Sequence, residues 1–140
     1  MTNAPNAMTT RLLLLSLVLM LSGCASTLTT GKHVPITKTR TPEQAVTLAT
    51  RVLAALPEDQ IRSRVKQRFP QISDKHLRRI QVSYTTMHFY DNGLEHPPRK
   101  EVHLFVTIQH DKTLHPIADE INDFVADMLR HELARQKQSL

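Results

Sequence analysis

Apolar positions change their period several times along this chain, and the changes divide it into segments. Leu12 to Leu21 is an aliphatic run broken only by Ser16. At about ten residues it is too short to cross ~30 Å of hydrocarbon as a permanent helix, and it has the length of a secretory h-region. From Ala25 to Arg40 the chain turns to Ser, Thr, Gly, Lys and Pro with no apolar period, which predicts a tether. A helical period begins at Thr41. Thr41-Pro42-Glu43-Gln44 offers an N-cap, a proline at the first helical position and a capping-box partner. Ala45, Leu48, Ala49, Val52, Leu53 and Leu56 then recur at three and four, predicting a helix over 41–56. Pro57-Glu58-Asp59 restarts the pattern with acidic residues suited to a helix N-terminus. Ile61, Val65 and Phe69 form a narrower stripe that Pro70 ends, and Ser73-Asp74 caps one further short turn carrying Leu77.

Beyond Arg79 the period drops to two. Ile80, Val82, Tyr84, Thr86, His88 and Tyr90 alternate with Gln81, Ser83, Thr85, Met87 and Phe89. Val102, Leu104, Val106 and Ile108 alternate with Glu101, His103, Phe105, Thr107 and Gln109. Asp91-Asn92-Gly93 and Pro97-Pro98 between them are turn chemistry, so the two runs predict an antiparallel hairpin with a long tip. Pairing Tyr84 with Val106 keeps Ile80, Val82, Val102, Leu104 and Ile108 on one core face. After Pro116, the residues Ile117, Ile121, Phe124, Val125, Met128 and Leu129 line one side of a closing helix running to about Lys137. A two-stranded ribbon is marginal alone. The expectation is a two-layer α+β sandwich of order ααββα, with amphipathic helices covering the hairpin and residues 41–140 forming a single domain.

The apolar run ends in Leu21-Ser22-Gly23-Cys24, which contains the only cysteine of the 140 residues. With Arg11 ahead of the run, this resembles the lipobox of bacterial lipoproteins. The resemblance implies that residues 1–23 are a signal peptide, with Met1 or Met8 as the start, and that Cys24 becomes the first residue and carries lipid. It implies a diacylglyceryl group and usually an amide-linked acyl chain, and two or three chains anchor firmly where one binds marginally. Residues 24–40 are then the lipidated N-terminus and flexible tether. Ala25 in place of aspartate points, by the family rule, to the outer membrane facing the periplasm. No thiol is left for a disulfide, so stability comes from burial alone.

Candidate chemistry is sparse. The eight histidines invite a metal reading. On the expected register, however, His88 and His110 share the inner face near opposite ends, His103 points outward and His96 lies in the loop, so no tetrahedral set converges. His131-Glu132 lacks the second histidine of a zincin helix. Ser73, Ser83 and Ser139 lack a nucleophile-elbow context, and Gly23, Gly31 and Gly93 build no phosphate-cradling loop. Asp119, Glu120, Asp123 and Asp127 read as the hydrated side of the closing helix. No catalytic residue, metal or cofactor is expected.

Charge adds one feature. The formal net charge is +5, and Arg62, Arg64, Lys66, Arg68, Lys75, Arg78 and Arg79 concentrate much of it in a segment where Asp74 is the sole opposing charge. An envelope location makes nucleic acid a poor partner and leaves lipid headgroups, other envelope anions, an acidic protein surface or plain solvation. The hairpin adds another. Met87, Phe89, His103 and Phe105 fall on the side away from the helices, an apolar group that invites a docked partner or an added strand unless the tether or another helix covers it. Two readings result: a non-catalytic accessory lipoprotein that engages an envelope protein, or a lipoprotein that binds an anionic ligand or inhibits an enzyme through the basic helix.

Overall fold

The computed structural model describes residues 27–37, 39–89 and 99–139. Its elements are β1 (Leu28–Pro35), α1 (Pro42–Ala55), α2 (Glu58–Arg68), α3 (Asp74–Leu77), β2 (Ile80–Phe89), β3 (Arg99–His110) and α4 (His115–Gln138). The class is α+β, with one antiparallel sheet of order β1-β3-β2 packed against helices. Residues 21–24, which resemble a lipobox, and residues 90–98, expected to form the hairpin tip, lie outside the described residues.

Helix boundaries follow their caps. Thr41 sits in extended backbone and its hydroxyl accepts the Gln44 amide at 3.3 Å, while the Gln44 side-chain oxygen accepts the Arg40 amide at 3.0 Å. The reciprocal contact thus reaches one residue further back than an ordinary capping box. Ser73 caps α3 by accepting the His76 amide at 3.3 Å. Pro57 offers α2 no side-chain cap, and Glu58 and Asp59 supply the favourable charge there instead.

Two corrections concern the sheet. The segment expected to be a tether contains β1, so the sheet has three strands and β3 is central. β1 holds its place through contacts distant in sequence. Val34 is buried opposite Leu104, and the Ile36 amide donates to the Val102 carbonyl at 2.9 Å. The Asn122 side-chain amide donates to the Thr30 hydroxyl at 2.9 Å, Lys32 pairs with Asp123, and Lys137 donates to the Thr37 carbonyl at 2.8 Å. A Cβ at Gly31 would stand 3.1 Å from the Phe105 ring and from the Val106 carbonyl, so glycine allows the close approach of β1 to β3.

The second correction is register. Tyr84 faces Leu104 rather than Val106. The two-residue shift keeps every side chain on its expected face, because the pleat has a period of two. It sets Ile80 against Ile108 and Val82 against Val106, and it leaves His110 to pair with Leu28.

One face of the sheet makes the core. Val102, Leu104, Val106 and Ile108 are buried to within 1% of full occlusion, and Val34, Ile36 and Ile80 flank them. Ala45, Leu48, Ala49 and Val52 of α1, Ile61 and Val65 of α2, and Ile121, Val125 and Leu129 of α4 join the same apolar cluster. Each fully buried aliphatic side chain contributes about 1.5–3 kcal/mol. None of Met87, Phe89 and Phe105 belongs to that cluster. All packing of the helical layer is therefore on one side.

Candidate functional site

On the face opposite the core, alternation brings the expected residues into one group. Phe105 and His103 of β3 point outward, opposite Ser83 and Thr85 of β2, and Met87 and Phe89 lie opposite Glu101 and Arg99. Phe89 lies 6.4 Å from His103 between ring centroids. β1 adds a residue that the sequence reading missed. His33 stacks at 4.6 Å on Phe105 and meets His103 edge-on at 5.7 Å. Four rings thus run diagonally across three strands, from His33 and Phe105 to His103 and Phe89. The row is amphipathic. His103 is buried among its neighbours, Phe105 and Met87 are half-buried, and Phe89 remains 37% exposed. Arg99 lies over Phe89 at 5.5 Å and binds Glu101 at 2.8 Å, while Glu101 accepts His103 Nε2 at 3.0 Å. Nδ1 of His103 has no hydrogen-bond partner among the described residues.

This chemistry suits recognition. The rings of Phe89 and His33 are exposed together with Arg99, and aromatic and arginine side chains are enriched at protein interfaces. Among the described residues no group of three or more His, Cys, Asp or Glu is placed to hold an ion.

The basic segment divides. Arg62 is tied to Glu58 at 2.6 Å and Asp59 at 3.4 Å and reaches the Ile80 carbonyl at 3.3 Å, so the carboxylates of the preceding helical turn oppose its charge. Lys66 donates to the Ile72 carbonyl at 2.6 Å and lies 3.9 Å from Asp74. These two side chains hold α2 against the start of β2 and the turn leading into α3. Arg64, Arg68, Lys75, Arg78 and Arg79 make no ion pair among the described residues. The seven cations are therefore not one surface with one role.

A third constellation was invisible along the chain. Ser73 Oγ lies 2.9 Å from His76 Nδ1, and His76 Nε2 lies 3.3 Å from Asp111 Oδ2. Since the carboxylate can only accept, Nε2 donates to Asp111, and Nδ1 is hydrogen-bonded to the Ser73 hydroxyl. The Thr113 hydroxyl hydrogen-bonded to Asp111 holds its carboxyl down at about 2, with help from the His76 charge. The order of groups is that of a nucleophile relay, but the Ser73 oxygen is also the α3 cap. The contact works as a clasp between α3 and the turn after β3. Beside it, His110 is fully buried, its Nδ1 donates to the Asp111 carbonyl at 2.9 Å, and its ring stacks on His115 at 5.5 Å.

Surface depressions are shallow and mixed in charge. One of about 790 Å³ is lined by Arg40, Glu43, Gln44, Thr47 and Lys137, and another of about 500 Å³ by Lys32, His33, Asp119, Asn122 and Asp123. Neither gathers a set of like-charged or reactive groups.

The described residues thus define a small α+β domain whose sheet is covered by helices on one face and carries an aromatic and imidazole row on the other. Comparison with protein-family models, curated proteins and solved structures finds no match. No helix among the described residues is long and apolar enough to cross a membrane.

Proposed function

We propose that the protein is a non-catalytic lipoprotein of the bacterial envelope, anchored through lipid on Cys24 in the outer membrane facing the periplasm. Its folded domain binds another envelope protein through the outer face of its sheet. The observation that carries the reading is one-sided packing. The helical cluster uses only the inner sheet residues, while His33, Met87, Phe89, His103 and Phe105 gather on the other face without entering that cluster. A large exposed ring beside an arginine is characteristic of interface hot spots rather than of a solvated sheet.

The test places a photoreactive residue at Met87 or Phe89 in the full chain in cells. Expected is one discrete protein adduct, absent when the probe stands at Arg64 and lost on Phe105→Asp. The Phe105→Asp protein must keep its far-ultraviolet dichroism, since that ring lies outside the core. An adduct formed equally well from Arg64, or one indifferent to Phe105→Asp, would overturn the sheet-face reading.

A further inference from the structure

The start of β1 and four cations without an ion-pair partner among the described residues lie at the same end of the domain. Leu28 pairs with His110, Ile80 pairs with Ile108, and the Gln109 amide donates to the Arg79 carbonyl at 3.4 Å. The first residue of β1, the last of β3 and the approach to β2 therefore share one edge of the sheet. α3 is pinned to that edge by the His76–Asp111 contact, which brings Lys75, Arg78 and Arg79 beside it, and Lys112 lies two residues past the end of β3. Lys75, Arg78 and Lys112 are exposed, Arg79 is half-exposed, and none makes an ion pair among the described residues. Of the carboxylates at this end, Asp74 lies near Lys66 and Asp111 is bound by His76 and Thr113, while Asp119 and Glu120 in the second turn of α4 are exposed and make no ion pair among the described residues. α4 also begins here, with no acidic residue in its first turn, so its positive dipole end adds to the same potential.

From Cys24 to Leu28 the chain can extend no more than about 14 Å. We propose that this end of the domain is a membrane-facing surface on which Lys75, Arg78, Arg79 and Lys112 contact the phosphates of anionic phospholipid headgroups. The proposal rests on the lipid anchor at Cys24, because the anchor chooses which end meets the bilayer. A cation held near an anionic leaflet contributes roughly a fivefold gain in partitioning. A lipid anchor with so short a reach keeps all four within range, so they orient the domain.

The experiment uses the full lipidated protein. Because Cys24 is the only cysteine and its sulfur would be modified, a single introduced thiol can be labelled selectively. A fluorophore at Gln109→Cys reports the anchor end, and one at Gln138→Cys reports the far end of α4. In vesicles of phosphatidylglycerol mixed with phosphatidylcholine, bearing a headgroup nitroxide, the Gln109 label should be quenched at least severalfold more than the Gln138 label. The difference should shrink in pure phosphatidylcholine, in about 1 M NaCl, where the screening length is about 3 Å, and in an Arg78→Ser, Arg79→Ser, Lys112→Ser variant. Equal quenching at both ends, or indifference to phosphatidylglycerol and salt, overturns the headgroup contact while leaving the anchor standing. A Cys24 that mass spectrometry shows to be unlipidated overturns the anchor and the proposal together.

Discussion

Replacing Val34 by alanine removes two methyl groups from a side chain that is 2% exposed and faces Leu104 across the β1–β3 ladder. At about 0.8 kcal/mol per buried carbon the transfer loss is roughly 1.6 kcal/mol. The residual cavity raises this to about 2–3 kcal/mol, because the central strand and α4 close over the site only in part. For a domain whose total stability is of order 5–15 kcal/mol this is a large fraction. With a urea slope of about 1–3 kcal/mol/M, the midpoint should fall by roughly 1 M or more with the slope unchanged. Thr29→Ala, earlier in the strand on the exposed face, is the control and should stay within about 0.5 kcal/mol of the parent. Native-state hydrogen exchange should place β1 amides near the protection of β3. A Val34→Ala midpoint shifted no further than that of Thr29→Ala would refute a packed β1. The segment would then be the tether its composition suggests.

Two further outcomes concern the clasp at the end of the sheet. Because the Asp111 carboxyl is held at about 2 in the folded protein, below its ordinary 3.8, its ionised form stabilises the fold above the ordinary value and loses that effect as pH falls from about 4 to about 2. Thr113→Val should raise the Asp111 value seen by carboxyl NMR. Its stability deficit should be full at neutral pH and vanish near pH 2, and a deficit independent of pH would rule out this linkage. Ser73→Ala deletes the α3 cap and should cost about 1 kcal/mol in denaturant unfolding. A neutral result would mean that the His76 amide finds another acceptor.

The helices were legible because their signals are local. The Thr41 cap, the Pro57 restart and the apolar stripe of α4 each lie within a few residues of the backbone they organise. The two long strands were legible through alternation, which also gave the side of the sheet on which Met87, Phe89, His103 and Phe105 fall. β1 was hidden because its inner-facing row begins Leu28, Thr30, Lys32, and only half of it is apolar. The polar members are satisfied by Asn122 and Asp123, more than ninety residues away in sequence. Its signal was the β-branched content of Thr29, Thr30, Val34, Ile36 and Thr37, with Val34 and Ile36 in phase with Leu28. Missing the strand meant missing His33. The Ser73, His76 and Asp111 clasp was equally out of reach, since a contact spanning 35 residues depends on how β3 ends.

Adding β1 to β3 changes the mechanical meaning of the N-terminal segment. Sixteen free residues would let the domain wander on the order of 50 Å from its attachment at about 3.3 Å per residue. Paired as a strand, Leu28–Pro35 becomes part of the sheet, and only residues 24–27 come between the start of that segment and Leu28. β1 and β2 both run antiparallel to β3, so both start at the end where β3 finishes and α4 begins. In the lipid-anchored arrangement, that end is moored. Along β3 the distance from His110 to Phe105 is roughly 17 Å, and to Arg99 roughly 36 Å, at about 3.3 Å per residue. The ring row would therefore stand at a fixed height above the headgroups, facing sideways along the membrane. Its partner would then have to present its binding surface at that height, so lengthening the link before Leu28 should weaken binding without touching any contact in the row.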